Sequence, residues 1–127
     1  VFGLIAPPGQ SAYCASKFAV RGFSNALRHE LMGSPISVTV AHPGGVATAI
    51  AQSARLSEQL SPADRAKHLD LAKKFLRMDP QKAAEIIVRA AERKKARVLV
   101  GLDAHLTAWL ERIWPVAYWR FLAPGMR

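Results

Sequence analysis

The sequence predicts an α/β fold in which helices alternate with short strands. Apolar residues recur every three or four positions after residue 11 and again after residue 80, which is the period of a helix with one buried face. The run 36–41 is rich in β-branched residues, is bounded by proline and glycine and is typical of a buried strand; residues 96–101 are expected to form a second short strand. Because a helix lies between them in the chain, we expect the two strands to be parallel.

The composition is that of a globular protein with an excess of basic residues. Half of the 127 residues are hydrophobic, and the formal net charge is +9. The basic residues are scattered over the expected solvated faces of helices without a nucleic-acid-binding motif, so we expect no specific nucleic-acid partner. Cys14 is the single cysteine, which excludes an internal disulfide and fits a cytoplasmic protein without a signal peptide.

The first helix is expected over residues 11–32. The Ser11 hydroxyl is suited to accept an early backbone N–H as the N-cap. Gly33 is suited to the position that follows the last turn, and Pro35 cannot continue a helix. We expect a stripe of apolar side chains on this helix to face the core: Val20, Phe23, Leu27 and Leu31.

Tyr13 and Lys17 lie four residues apart on this helix, so their side chains share one face. A free phenol has a pKa of about 10 and is almost entirely neutral at pH 7. A cation held within about 4–6 Å favours the phenolate, which equips a tyrosine for general acid–base catalysis near neutral pH. The same spacing also arises where a tyrosine packs under a lysine stem, so the pair alone leaves both interpretations open.

The first predicted strand leads through His42 into a loop with the sequence Pro-Gly-Gly-Val-Ala-Thr. Gly44 and Gly45 allow the backbone of this loop to approach a ligand closely. Ligands of open α/β sheets bind at the carboxyl ends of the strands, so we expect Tyr13 and the loop to converge on one crevice. We interpret His42 as structural, since no second histidine lies nearby; the four histidines are widely spaced, and no metal site is expected.

A helix with Tyr-x-x-x-Lys, followed about two dozen residues later by a strand that ends in Pro-Gly-x-Val-x-Thr, resembles the short-chain dehydrogenase/reductase family in residue type and order. The resemblance covers nearly the whole chain but only the carboxyl-terminal half of the family's fold. It implies part of a Rossmann-like doubly wound parallel sheet, about two strands with flanking helices, over residues 1–101. Residues 102–127 would form an apolar, aromatic-rich helical extension.

By this resemblance, the reaction is reversible hydride transfer between NAD or NADP and a carbonyl or secondary alcohol. Tyr13 would be the acid–base that protonates the carbonyl oxygen during reduction. Lys17 would favour the phenolate and hydrogen-bond the nicotinamide ribose. The loop backbone would hold the nicotinamide ring and carboxamide, and a threonine would add a polar contact. The residues expected to bind the cofactor are Tyr13, Lys17, Pro43, Gly44, Val46 and Thr48.

Several features of the family do not occur in this sequence. It contains no G-x-G-x-x-G turn, no Asn-Ala-Gly stretch and none of the residues that select NAD or NADP. Val1-Phe2-Gly3 matches the end of the context that carries the family's catalytic serine, and Ser11 is too close to Tyr13 to replace that serine. We therefore hypothesise that the chain is a fragment of a reductase roughly twice as long and is inactive on its own.

Residues 49–78 are amphipathic, with a capping signal at Ser61 and Pro62, and the resemblance implies a flap over cofactor and substrate. Asp79 and Pro80 begin a helix of about fifteen residues, whose basic end at 93–95 we expect to be solvated. We expect the inward positions of this helix to be Ala83, Ile86, Ile87, Ala90 and Ala91.

The tail from residue 102 has a dense apolar face that is interrupted at Pro115 and by charged residues, so it is not a transmembrane helix. Packing on the parent domain, on a partner subunit or over an apolar substrate is favoured over a peripheral membrane contact, which stays an alternative. The resemblance implies a homo-oligomer built through the helix of Tyr13 and Lys17. A non-catalytic interaction module derived from this fold is the alternative to an enzyme.

Overall fold

Helices and strands alternate in the computed structural model, which describes residues 1–48, 70 and 74–126. The predicted α/β class is confirmed by a parallel pair of strands flanked by helices. The capping signal at 61–62 lies outside the described residues. In chain order the elements are α1 (Ser11–Glu30), β1 (Val40–Pro43), α2 (Pro80–Glu92), β2 (Arg97–Val100), α3 (Leu102–Ile113), α4 (Tyr118–Leu122) and a 3-10 turn (Ala123–Met126).

The two strands pair in parallel, as the connecting helix predicts, with Val40 opposite Arg97 and Pro43 opposite Val100. The bounds expected for the first strand were wrong: it begins at Val40 rather than at residue 36, and it extends to Pro43. Its partner β2 is only four residues long, so the ladder cannot reach back to residues 36–39. Ile36 is accordingly 61% exposed.

Helix α1 begins one residue earlier in its hydrogen bonding than expected. Gln10 is the N-cap, because the Cys14 N–H already bonds to its carbonyl at 2.8 Å, and Ser11 is the first helical residue. The expected N-cap role of Ser11 is therefore wrong. The helix ends at Glu30, and Gly33 follows with a φ of +87°, a left-handed conformation that favours glycine.

The apolar stripe expected on α1 does not face a core within the described residues. Val20 is 58% and Phe23 is 69% exposed, whereas Leu27 and Leu31 are half-buried. Hydrogen bonds from arginines attach this helix to the strands instead. The Arg28 guanidinium donates to the carbonyls of Val38 (3.2 Å) and Ala96 (2.7 Å), where the two strands begin.

Helix α2 begins where its sequence predicts, because its signals are local. The Asp79 carboxylate caps the Gln81 N–H at 2.9 Å, and Pro80 occupies the first turn. Of the expected inward positions, Ala83 and Ala90 are buried and Ile87 is half-buried. Ile86 and Ala91 are exposed, because only a narrow stripe of the helix packs on β2.

The buried side chains form a small core around β2. Leu4, Ile5 and Val100 are the largest fully buried residues. The other buried apolar residues come from β1 and three helices: Cys14, Val40, Ala83, Ala90, Ala104 and Leu110. As predicted, the carboxyl-terminal helices are interrupted at Pro115. Among the described residues, no helix has the length and apolar character needed to cross a membrane.

Candidate active site

Tyr13 and Lys17 come together on the first two turns of α1, as their spacing predicts. The Lys17 Nζ lies 5.1 Å from the centroid of the Tyr13 ring. Phe2 packs edge-on against the same ring, with centroids 5.7 Å apart. Tyr13 nevertheless remains 47% exposed. The ring is thus fixed by an aromatic contact and a cation while solvent, or a bound molecule, can still reach it.

Residues 1–6 lie against the same helix. The Arg21 guanidinium donates to the Gly3 carbonyl at 3.0 Å, and a Cβ on Gly3 would lie 3.1 Å from the Lys17 carbonyl. The Ala6 N–H donates to the Tyr118 hydroxyl at 3.0 Å. The two contacts of Gly3 hold the residue next to Phe2 against α1, and therefore help to set the position of the Tyr13 ring. Sequence reasoning did not identify Tyr118, because its contact spans 112 positions of the chain.

The loop over residues 43–48 lies at the carboxyl end of β1. Its first peptide continues the ladder, since the Gly44 N–H bonds to the Val100 carbonyl at 2.8 Å. Its later part pairs with Met78: the Met78 N–H bonds to the Gly45 carbonyl at 2.9 Å, and the Ala47 N–H bonds to the Met78 carbonyl at 2.8 Å. The loop is therefore held to its own chain on two sides.

The two glycines of this loop are closely approached by other parts of the same chain. A Cβ on Gly44 would collide with the Asp103 carboxylate, and a Cβ on Gly45 would collide with the Phe75 carbonyl. The Gly45 N–H also donates to Asp103 Oδ2 at 2.6 Å. The sequence shows Asp103 only as a charge that interrupts an apolar segment, so its contact with the loop was missed. Its place in the first turn of a helix that directly follows a strand end was the available signal.

The loop and the Tyr13–Lys17 pair are connected through the first residues of the chain. The Val1 amino group donates to the Pro43 carbonyl at 2.6 Å, and the adjacent Phe2 packs on Tyr13. Among the described residues, no hydrogen bond joins Tyr13 directly to the loop. Residues 1 and 2 therefore link the loop to the Tyr13–Lys17 pair. The side chains of Pro43 and Thr48 in the loop are exposed.

His42 is buried on β1, beside the loop, with only 5% of its surface exposed. Its Nε2 has no hydrogen-bond partner in the described part of the chain. Burial lowers the pKa of the His42 imidazole from 6.5 to about 4, and the positive charges of Arg97 and Arg21 add to this effect. The ring is therefore neutral at pH 7, in keeping with a structural role.

Comparison with known proteins gives related sequences over nearly the whole chain. Residues 1–59 match the sequence model of the family described as short chain dehydrogenase. The putative oxidoreductase SadH of Mycobacterium tuberculosis is 43% identical over 99% of this chain and 46% of its own length. The uncharacterized oxidoreductase YbbO of Escherichia coli is 32% identical over 91% of this chain and 42% of its own length.

A vertebrate relative, dehydrogenase/reductase SDR family member 7B of Danio rerio, is 31% identical over all of this chain and 40% of its own length. The chain therefore spans less than half the length of each of these curated relatives. No solved structure was found to match it.

Proposed function

We propose that this chain, which belongs to the short-chain dehydrogenase family, supplies the acid–base and nicotinamide-contacting part of an oxidoreductase. The reaction is reversible hydride transfer between NAD or NADP and a carbonyl or secondary alcohol. The observation that carries the proposal is the exposed Tyr13 phenol with the Lys17 ammonium above its ring, 5.1 Å from the centroid.

Tyr13 acts as the acid–base at its hydroxyl oxygen. The side chain is 47% exposed, so a substrate oxygen can approach the hydroxyl. In reduction, Tyr13 gives its proton to the carbonyl oxygen; in oxidation, it takes the proton of the alcohol. The Lys17 ammonium places a positive charge 5.1 Å from the centroid of the same ring. The contact with Phe2 limits movement of the ring and so contributes to orientation.

The loop at the end of β1 presents a backbone surface that fits a nicotinamide cofactor. The hydrogen bonds to Val100, Met78 and Asp103 fix the loop before any ligand arrives. We assign the cofactor contacts to Tyr13, Lys17, Pro43, Gly44, Val46 and Thr48. When bound, the nicotinamide supplies or accepts the hydride. The chain's own residues orient the ring and hold the proton.

We further propose that residues 1–101 are the second half of a Rossmann-like domain and that 102–127 are an extension of it. In support, the chain spans less than half of its relatives, and it contains no glycine-rich pyrophosphate turn. The exposed Val20 and Phe23 on α1 are apolar surface that another part of an enzyme or a second subunit would cover. On this account the 127 residues alone are inactive.

The substrate is a small carbonyl compound or alcohol, and the surface of the extension favours an apolar one. Trp109 and Trp114 pack edge-on at 5.8 Å, Phe121 lies 4.8 Å from Trp114, and all of these rings are partly exposed.

The same surface is available to a second subunit. The helix of Tyr13 and Lys17 is the proposed oligomer interface.

The test is Tyr13→Phe in the gene product that contains this chain. Consumption of NADH and NADPH is followed with a panel of aldehydes and ketones. We expect Tyr13→Phe to lower kcat by about a hundredfold or more, because proton transfer loses its donor. The matched control is Tyr118→Phe, which also removes a phenol hydroxyl; in the described part of the chain, that hydroxyl bonds to the Ala6 N–H alone.

Activity of the control should stay within about threefold of the original enzyme. Full activity of Tyr13→Phe would contradict the proposal and would favour the interaction-module alternative.

A further inference from the structure

We propose that Asp103 is a positioning residue that locks the nicotinamide-contacting loop through the Gly45 N–H. The effect of this contact on catalysis rests on the proposed function, whereas the hydrogen bond itself is present in the structure. Asp103 lies in the first turn of α3, directly after β2 ends. Its carboxylate reaches the loop that follows β1, 58 positions away in the chain.

Three glycines form the notch that receives this carboxylate. The Gly45 N–H donates to Oδ2 at 2.6 Å, a short charge-assisted hydrogen bond. A Cβ on Gly44 would collide with the carboxylate, and a Cβ on Gly101 would lie 2.6 Å from Oδ1. Gly101 also has a φ of +97°, which other residues rarely adopt. Gly44 and Gly101 thus leave the space that the carboxylate occupies, and a larger residue at either position would displace it.

The backbone of Asp103 is itself held in place. The buried Thr107 hydroxyl donates to the Asp103 carbonyl at 2.8 Å and lies 3.2 Å from the Ala104 carbonyl. The position of Asp103 in the first turn also brings its negative charge to the positive end of the α3 dipole. Both features reduce the freedom of the carboxylate before it meets the loop.

Among the described residues, Asp103 is the one residue whose side chain forms a hydrogen bond with this loop. The neighbouring peptides are satisfied locally, since the Val46 N–H bonds to the Gly44 carbonyl and the Thr48 N–H bonds to the Val46 carbonyl. Removal of the carboxylate therefore leaves the Gly45 N–H without its partner, at the centre of the segment assigned to the nicotinamide. A small displacement there changes the distance over which the hydride moves.

The experiment compares Asp103→Ala, Asp103→Asn and Gly44→Ala in the gene product that contains this chain. Two readouts are used: the amide resonance of Gly45 under selective glycine labelling, and the steady-state constants for cofactor and carbonyl. We expect Asp103→Ala to shift the Gly45 resonance. We also expect it to raise the cofactor KM and to lower kcat by about tenfold each, while the carbonyl KM stays within about twofold of the original value. Asp103→Asn keeps an acceptor oxygen, so its constants should lie between those of the original protein and those of Asp103→Ala.

A double-mutant cycle tests for direct contact. Gly44→Ala alone should cost at least about tenfold in kcat, because its methyl group collides with the carboxylate. In the Asp103→Ala background the cost of Gly44→Ala should be several-fold smaller, because the colliding group is gone. The charge control is Glu92→Ala, on the exposed end of α2, which should leave every readout unchanged. Thermal unfolding of Asp103→Asn verifies that the comparison is made on folded protein.

An unshifted Gly45 resonance in Asp103→Ala, or additive effects in the cycle, would overturn the contact. A shifted resonance with unchanged kcat and cofactor KM would overturn the positioning role. Failure of the underlying function is seen separately, since it would show in Tyr13→Phe and not in the Gly45 resonance.

Discussion

At the scale of single residues, the sequence predicts contacts that are local and misses those that are distant. Tyr13 and Lys17 are neighbours because four residues make about one helical turn, so their meeting follows from spacing alone. The environment of His42 and the contact of Asp103 depend on which segments fold against each other. Their partners could therefore not be read from the neighbouring residues, although the place of Asp103 after a strand end was a signal that it lies near the loop.

His42 gives a pH dependence of stability whose sign follows from its lowered pKa. The unfolded imidazole takes up a proton near pH 6.5, whereas the folded one does so only near pH 4. Between these values the unfolded state binds more protons, so the free energy of unfolding falls as pH falls from 6.5 to about 4, by at most about 3 kcal/mol. Above pH 6.5 this contribution is constant.

Urea unfolding of the original protein and of His42→Gln at several pH values measures this effect. The variant has no titrating ring, so the difference in unfolding free energy between the two proteins should change with pH across this window and be flat above it. A constant difference from pH 4 to pH 7 would contradict the account of His42.

At the scale of elements, local signals set the bounds of helices well and the bounds of strands poorly. Asp79 and Pro80 place the start of α2 because a cap needs only neighbouring backbone N–H groups. The bounds of β1 depend on the length of its partner, and the buried face of α1 depends on what covers it. Val20 and Phe23 were expected to face the core and are exposed, and Ile36 was expected in the first strand but lies outside it and is exposed.

Arg28 gives the prediction at this scale, because its guanidinium attaches α1 to the start of both strands. We expect Arg28→Ala to lower the free energy of unfolding by about 1–2 kcal/mol, since the half-buried Val38 carbonyl and the exposed Ala96 carbonyl both lose a charged donor. Arg28→Lys should recover little of this, because an ammonium lacks the planar fork that spans both acceptors.

The control for Arg28 is Arg89→Ala, which breaks the exposed ion pair with Glu85 at 3.7 Å. It should cost about 0.5 kcal/mol or less. Chemical unfolding followed by tryptophan fluorescence compares the variants, and equal losses for Arg28→Ala and Arg89→Ala would be inconsistent with the attachment described.

At the scale of the whole molecule, the chain presents a small core and a large apolar surface. Large hydrophobic side chains are exposed on every helix of the described part: Val20 and Phe23 on α1, Val88 on α2, Trp109 on α3 and Phe121 on α4. Under the proposed function, other parts of an enzyme would cover such surfaces. Membership of the family was predictable because its two motifs are local and ordered along the chain, whereas substrate and cofactor preference depend on residues that these motifs do not include.

The measurement that most directly tests the central claim is isotope transfer by the gene product that contains this chain. NADH and NADPH deuterated at the transferring position of C4 are incubated with a reducible carbonyl compound, and the alcohol product is analysed by mass spectrometry. The account predicts deuterium on the carbinol carbon with the original protein and with Tyr118→Phe, and its loss with Tyr13→Phe. An unlabelled alcohol, or full labelling by Tyr13→Phe, would contradict it.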